Sequence, residues 1–247
     1  EDIQKWKKHC ETQAAESPSS LIKRSRAKYL SLMNTYIDLV MLISDQSEFA
    51  SYEAGNQLLK QCRELSSDLL STLGSTTNPW EVINNSAIGE FGSLERAPAV
   101  AAYAGILSLN GHIGSPEKAM LGALLTNLSL VDLPPNASKK IRSTGDLSTL
   151  NSEEMEQYKQ HPKASLIKVL GRKFQIDDDI KSIIEFAHER YDKKGFPTQP
   201  RPEKILDESY VIQLCEDIDN KTLIKMGKEK RSLKQIKEEI FAEFEKE

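Results

Sequence analysis

The chain has 247 residues, of which 38% are hydrophobic and 28% charged, so it can bury a core and is neither disordered nor fibrous. The net charge of −4 and the pI near 5.7 argue against duplex nucleic acid as the main partner, because phosphate binding favours a basic surface. No apolar run approaches the roughly 20 residues that a membrane-spanning helix needs.

The first residues and the cysteines indicate in which cellular compartment the protein is found. The first residues lack the basic start and apolar run of a signal peptide, and the absence of an initiating Met suggests a fragment or a processed chain without its upstream domain. Cys10, Cys62 and Cys215 are odd in number and show no paired spacing. They indicate buried thiols in a reducing compartment, so we expect a cytoplasmic protein.

The first part of the chain predicts two long amphipathic helices, over 21–45 and 48–73. Ser47 can cap the second helix, which ends before Gly74. We expect the two helices to form an antiparallel hairpin that packs on the rest of the chain or on a second copy, because their apolar stripes cannot remain in water. The polar segment after the second helix, which ends in Pro79, predicts a boundary between an N-terminal helical region (1–78) and a main domain (79–247).

Helical periodicity continues through the rest of the chain, and no stretch alternates with period two for long enough to propose a sheet. Ser115 predicts a helix start, because serine can cap a helix and Pro116 can take its first position. A polar loop is predicted over 136–149. The remaining predicted helices begin near 80 and 93 and then cover 119–130, 151–171, 176–188, 208–226 and 232–244. The predicted fold class is all-α, a helical bundle.

Four histidines are candidates for chemistry, although a lone histidine is more often structural than a ligand. His9 lies in a charged stretch and His112 in a loop flanked by glycine, so both are expected to be structural or solvated. His161 precedes Pro162 in the middle of a helical pattern. His188 differs from the others because it lies in the unusual run AHERYDKKGFP at 187–197.

This run resembles the HHExxDGxGYP signature of the HD-GYP domain, the cyclic di-GMP phosphodiesterase branch of the HD hydrolase superfamily. Two further segments are similar to family motifs in the same order. They are LNSEEMEQYKQHP at 150–162 and VIQLCEDID at 211–219. The resemblance covers about residues 93–240 and implies an HD-GYP-like helical bundle.

The resemblance also implies a centre of two or three metal ions, usually iron or manganese, whose bridging hydroxide attacks a phosphodiester. The ligand positions that this chain retains are His161, His188 and Glu216. The ligand positions that it has lost are Arg96, Thr126, Asn127 and Ala187. Because the family assigns the retained groups to different metals, the sequence leaves open whether they converge.

Each substitution has a physical consequence for metal binding. Asn127 has no negative charge and cannot bridge two cations as a carboxylate does. Arg96 brings a positive charge to the place where cations would gather. Leu130 replaces the lysine that the family places beside the substrate phosphate. We therefore expect no catalytic residue, no bound metal ion and no cofactor.

The remainder of the signature has two interpretations that the sequence leaves open. Gly195 and Pro197 fit a tight loop for reasons of backbone conformation alone. Family loops of this type are implicated in contacts with diguanylate cyclase domains, so the resemblance also implies a partner-binding loop. Its residues would be Arg190, Asp192, Lys193, Lys194, Gly195, Phe196 and Pro197. In that interpretation the loop is exposed, and Phe196 is an exposed interface anchor.

The sequence thus favours a catalytically inactive, bacterial HD-GYP-like domain that acts as a protein-interaction or regulatory module in cyclic di-GMP signalling. Its partner would be a GGDEF-type or other signalling domain, with a homodimer left open. One alternative is a sensor that binds cyclic di-GMP without hydrolysis, which the loss at Leu130 weakens and Lys225 keeps open. The other is a metal-dependent phosphodiesterase with a reduced metal site.

Overall fold

The computed structural model describes residues 18–45, 52–89, 93–144, 146–190, 193–197, 202–222 and 231–244. Within these ranges the chain forms eleven α-helices and no strand, which confirms the all-α prediction. The helices are α1 (Pro18–Ser44), α2 (Tyr52–Gly74), α3 (Pro79–Ser86), α4 (Ala97–Gly111), α5 (Pro116–Thr126), α6 (Pro135–Thr144), α7 (Ser152–Lys159), α8 (His161–Gly171), α9 (Asp178–Phe186), α10 (Asp207–Thr222) and α11 (Leu233–Phe244). Short 3₁₀ segments lie at Leu94–Arg96, Leu128–Asp132, Leu147–Thr149 and Pro202–Lys204.

Helices α1 and α2 form the predicted antiparallel hairpin. Nζ of Lys28 in α1 donates to the backbone oxygen of Asp68 in α2 at 3.2 Å, so the start of α1 lies beside the end of α2. Tyr29 and Tyr36 of α1 are fully buried and belong to the same hydrophobic core as α4 and α5. The prediction that the hairpin packs on the rest of the chain is confirmed, while the domain boundary at residues 78 and 79 stays a prediction.

Helices α4 and α5 form the centre of the bundle. Alanine-rich α4 is buried on nearly all sides, and it packs against α5, α10 and α2. Helix α5 also packs against α9 and α10. Gly122 permits the close approach of α5 and α9, because a Cβ there would lie 2.3 Å from Cγ2 of Ile183. The polar residues described below lie on or next to these helices: Arg96 before α4, Asn127 after α5, His188 after α9 and Glu216 within α10.

Side-chain caps fix several helix starts near the site. The hydroxyl of Ser115 accepts from the backbone N–H of Lys118, and Pro116 takes the first position of α5, as predicted. Asn151 and Glu154 form a capping box at the start of α7. Ser47 and Gly92, which were expected to open helices, lie outside the described residues.

The predicted polar loop at 136–149 is wrong in its first part, which forms α6. Ala137 and Ile141 are one helical turn apart on this helix and pack against Leu150 in a small separate core. Two buried positions in a segment otherwise rich in polar residues give too weak a periodicity to identify a helix.

The predicted helix at 151–171 is in fact two helices, α7 and α8, which meet at Gln160. Pro162 causes the break, because it has no amide hydrogen for the carbonyl of Tyr158 and disfavours helical backbone before it. This break aims the His161 side chain into the centre of the bundle.

Among the described helices, none combines the length and the apolar character that crossing a membrane requires.

Candidate functional site

Four side chains from four parts of the chain meet in a closed ring of polar contacts. Nε2 of His161 lies 3.0 Å from Nε2 of His188 and 3.0 Å from Oδ1 of Asn127. Nδ2 of Asn127 donates to Oε1 of Glu216 at 2.7 Å, and Oε2 of Glu216 lies 3.3 Å from Nδ1 of His188. The structure therefore brings together the three retained ligand positions, whose convergence the sequence left open.

The break between α7 and α8 sets the tautomer of His161. The carbonyl of Tyr158, which Pro162 leaves without its helical donor, lies 2.6 Å from Nδ1 of His161. Because a carbonyl oxygen can only accept, Nδ1 of His161 carries the hydrogen and Nε2 keeps a lone pair. The hydrogen shared by the two imidazoles therefore belongs to Nε2 of His188. With this tautomer the 3.0 Å contact between Nε2 of His161 and Oδ1 of Asn127 joins two acceptors and is not a hydrogen bond.

Burial decides the charges in this ring. It lowers the pKa of His188 to about 4 and, together with the nearby His188, lowers the pKa of His161 well below its usual range. Burial raises the pKa of Glu216 to about 7, against the opposing hydrogen bond from Asn127. Between these two pKa values both imidazoles are neutral and the Glu216 carboxyl keeps its proton, which it can donate to Nδ1 of His188. The ring then carries no net charge.

A buried ion pair lies beside the ring. Nε of Arg96 donates to Oδ2 of Asp219 at 2.8 Å, and Nη2 of Arg96 donates to the other carboxylate oxygen. The exposed fractions of Arg96 and Asp219 are 7% and 2%. Burial alone would lower the pKa of Arg96, but the hydrogen bonds and charge of Asp219 outweigh it and raise this pKa. The guanidinium therefore stays charged. Burial raises the pKa of Asp219, against the hydrogen bond and charge of Arg96, but the two hydrogen bonds from the guanidinium hold this group as a carboxylate and offset its charge.

Asp219 was not predicted to belong to the site. A signal was present, because Asp219 follows Glu216 by three residues and so shares its helix face. Arg96 was expected near the site as an intruding charge. The structure shows that this charge has its own buried partner.

Three members of the ring (Asn127, His188 and Glu216) and both members of the ion pair line one small cavity, with Tyr158 and Leu130 in its walls. Its volume is about 60 Å³. A water molecule takes about 30 Å³ in the liquid, whereas pockets for drug-sized ligands measure about 300–1,000 Å³. The space suits water rather than a nucleotide. In the described part of the chain, no three His, Cys, Asp or Glu side chains are grouped so as to hold a metal ion.

The remaining lost ligand positions contribute no donor to the cavity. The hydroxyl of Thr126 donates to the carbonyl of Gly122 at 2.7 Å, within its own helix α5. Ala187 follows α9 directly in the chain, is fully buried and has no polar side-chain atom. Among the four, only Asn127 and Arg96 present polar atoms to the site.

The predicted partner-binding loop is exposed only in part. Lys193 and Lys194 are exposed, whereas Gly195 is buried and Phe196 and Pro197 are half-buried. Asp192 lies outside the described residues. Phe196 is half-buried and not exposed as expected, because its ring stacks on His188 with the ring centroids 4.9 Å apart and the planes inclined by 13°. Its part in a partner contact stays a prediction.

Gly195 explains why the loop turns inward. A Cβ at this position would lie 2.4 Å from the backbone nitrogen of Arg190 and 2.5 Å from the carbonyl oxygen of His188. Only glycine allows the loop to lie so close to the backbone that follows α9. The amide of Phe196 then donates to the carbonyl of His188 at 3.1 Å, which seats the aromatic ring on the imidazole.

Comparison with known proteins relates this arrangement to a family. A family model described as "HD domain" matches residues 59–238. The sequence matches none of the curated proteins with which it was compared. The fold is similar to the solved structure of Bd1817, an HDG"Y"P protein from Bdellovibrio bacteriovorus, with a TM-score of 0.65 and 16% sequence identity. The match covers 86% of this chain and 65% of that chain, and at this identity it shows a shared fold.

Proposed function

Because the chain belongs to the HD domain family, we propose that it is a catalytically inactive, HD-GYP-like module that works through protein contacts in bacterial cyclic di-GMP signalling. One observation carries the proposal. The polar groups at the centre of the bundle bind one another, in the Asn127–Glu216, Glu216–His188 and His188–His161 contacts and in the Arg96–Asp219 pair.

The metal ions that the family resemblance implies do not fit these side chains. Two neighbouring divalent cations need a carboxylate between them to offset their repulsion. The bridging position holds Asn127, which is neutral and donates its Nδ2 hydrogen to Glu216. The second acidic group, Asp219, is already neutralised by a guanidinium that cannot lose its proton. A metal pair would have to displace a buried cation.

We expect the purified chain, produced with added iron and manganese, to hold well under one metal ion per chain and to leave cyclic di-GMP intact. Elemental analysis gives the metal content, and chromatography of the reaction mixture detects the linear dinucleotide. An active phosphodiesterase of the same family, prepared in parallel, controls for metal loading and substrate quality. Two metal ions per chain, or steady turnover, would refute the inactive assignment and favour the reduced-metal enzyme.

The site also has consequences for the alternative that the chain is a sensor, which binds cyclic di-GMP without hydrolysing it. The cavity at the ring is too small for a dinucleotide. A larger cleft of about 350 Å³ reaches His161 from another side, and the charged residues among its described lining are Asp132 and Glu156. Asp132 is paired with Nζ of Lys168 at 2.9 Å, so the charge in this cleft that opposes a dianionic ligand is that of Glu156. Calorimetric titration of the chain with cyclic di-GMP tests this alternative directly, and saturable binding would support it.

Among the described residues of the proposed docking surface, Lys193 and Lys194 are the exposed ones. Lys193 and Lys194 together present two positive charges, which suits an acidic face on a GGDEF-type or other signalling domain. We expect the double variant Lys193→Glu, Lys194→Glu to bind such a domain about tenfold more weakly, a loss of about 1.4 kcal/mol. Surface plasmon resonance with an immobilised partner domain measures the affinities of the variant and of the unmodified chain.

Lys60→Glu is the matched control, because Lys60 is an exposed lysine on α2 and pairs only with its neighbour Glu64 among the ion pairs described. Its affinity should equal that of the unmodified chain. If the double variant binds as tightly as this control, the loop is not the docking surface.

A further inference from the structure

We propose that the solvent-facing side of α1 binds a second copy of this chain, with the α1 helices of the two copies packed antiparallel. The surface is a series of residues that we call the α1 stripe: Ala27, Leu30, Asn34, Ile37 and Met41. This face belongs to the N-terminal hairpin and not to the polar site, so the inference holds whether or not the chain is catalytically inactive.

The spacing of residues in α1 supports two packing faces. Tyr29 and Tyr36 lie on the face that packs into the core, where both are fully buried. The members of the α1 stripe follow one another at intervals of three, four, three and four residues, which is the spacing of the a and d positions of a coiled coil. A helix that packs only on its own core needs one apolar face. The second series therefore suits a further helix as partner.

The side chains of the α1 stripe face solvent in the structure. Leu30 and Met41 are 38% and 67% exposed, Ala27 and Asn34 are also exposed, and Ile37 is half-buried. Burial of their apolar atoms in a dimer is favourable. The polar Asn34 weakens such a pairing, and the stripe covers only about four helical turns. We therefore expect a reversible dimer, since a contact of this length lies at the small end of specific interfaces.

The charges of α1 favour a second copy and set its direction. Lys23 and Arg26 are exposed near the start of α1, and exposed Asp38 lies towards its end and is the acidic residue of this helix. In an antiparallel pair, the basic part of each helix lies towards the acidic part of the other. A parallel pair would place the basic parts together, where they repel. A face that complements itself in this way fits a twofold dimer.

Sedimentation velocity of the full chain over a range of concentrations tests the dimer. We expect the unmodified chain to shift from monomer to dimer as its concentration rises. Met41→Glu places a charge in the α1 stripe and should raise the dissociation constant of the dimer about tenfold or more. Val131→Glu is the matched control, because Val131 is 43% exposed and lies in the 3₁₀ segment that packs against α8. Its dissociation constant should equal that of the unmodified chain.

Cysteine cross-linking tests the direction of the helices. In a Cys10→Ser background the remaining native thiols, Cys62 and Cys215, are buried. Antiparallel pairing of a with d positions places Leu30 against Met41 of the second copy. A mixture of Leu30→Cys chains and Met41→Cys chains should therefore form disulfide-linked dimers on oxidation, whereas either variant alone should stay largely unlinked.

The dimer is refuted if the unmodified chain is a monomer at every concentration, or if Met41→Glu dimerises as tightly as Val131→Glu. The antiparallel arrangement is refuted if either cysteine variant cross-links as readily alone as in the mixture. Circular dichroism establishes that each variant keeps its helical fold. Should Met41→Glu fail to fold, Asn34→Lys at an exposed polar position replaces it, and unchanged dimerisation of this folded variant also counts against the proposal.

Discussion

Replacing Arg96 with alanine is expected to lower the free energy of unfolding by about 3–5 kcal/mol, because it leaves the carboxylate of Asp219 buried without a partner. This loss of unfolding free energy is larger than the net stabilisation that the ion pair provides, because much of the loss is the cost of an uncompensated charge inside the protein. Urea unfolding followed by circular dichroism measures it.

Two further variants separate this explanation from a general loss of packing. Arg96→Met combined with Asp219→Leu removes both charges, so it should recover most of the stability lost in Arg96→Ala. Lys60→Ala breaks an ion pair whose side chains are 68% and 65% exposed, and should cost no more than about 0.5 kcal/mol. An Arg96→Ala loss as small as that of Lys60→Ala would contradict the charge argument.

Replacing Glu216 with glutamine is expected to change how stability depends on pH. Burial raises the pKa of the Glu216 carboxyl from 4.5 to about 7, so the folded chain holds this proton more tightly than the unfolded chain. Its contribution to stability is therefore complete below pH 4.5 and is lost as the pH rises through 7. Glutamine cannot titrate and shows no such loss.

The stability of Glu216→Gln relative to the unmodified chain should therefore rise between pH 4.5 and pH values above 7. The rise is at most about 3 kcal/mol, and the 15% exposure of the Glu216 side chain reduces it. Urea unfolding at both ends of this range gives the difference. His161 and His188 are present in both proteins, so their own titration largely cancels. A difference that stays constant with pH would show that the Glu216 carboxyl is not desolvated.

Local features of the fold could be predicted from the sequence. The hairpin of α1 and α2 follows from apolar residues at helical spacing, and the start of α5 follows from Ser115 and Pro116. Helix α6 was missed because its buried side chains, Ala137 and Ile141, are outnumbered by polar ones. The break before α8 could have been predicted from Pro162, since proline rarely continues a helix.

The candidate site could be predicted only as a list of residues. The family resemblance singled out His161, His188 and Glu216, but their contacts join positions 27 to 89 residues apart. Such contacts depend on how whole helices pack, which local periodicity does not determine. The inward turn of Phe196 likewise depends on the close approach of Gly195 to the His188 backbone, a tertiary contact with no signature in sequence spacing.

The Arg96–Asp219 pair has a consequence for the order in which the chain folds during synthesis. The two residues are 123 positions apart, so Arg96 is synthesised long before Asp219. At about 5–20 residues per second, that interval lasts about 6–25 seconds. Over this period α4 and α5 can associate, but the polar centre between them and α10 cannot close. Until α10 is synthesised, the faces of α4 and α5 that it covers in the folded chain have no partner from that helix.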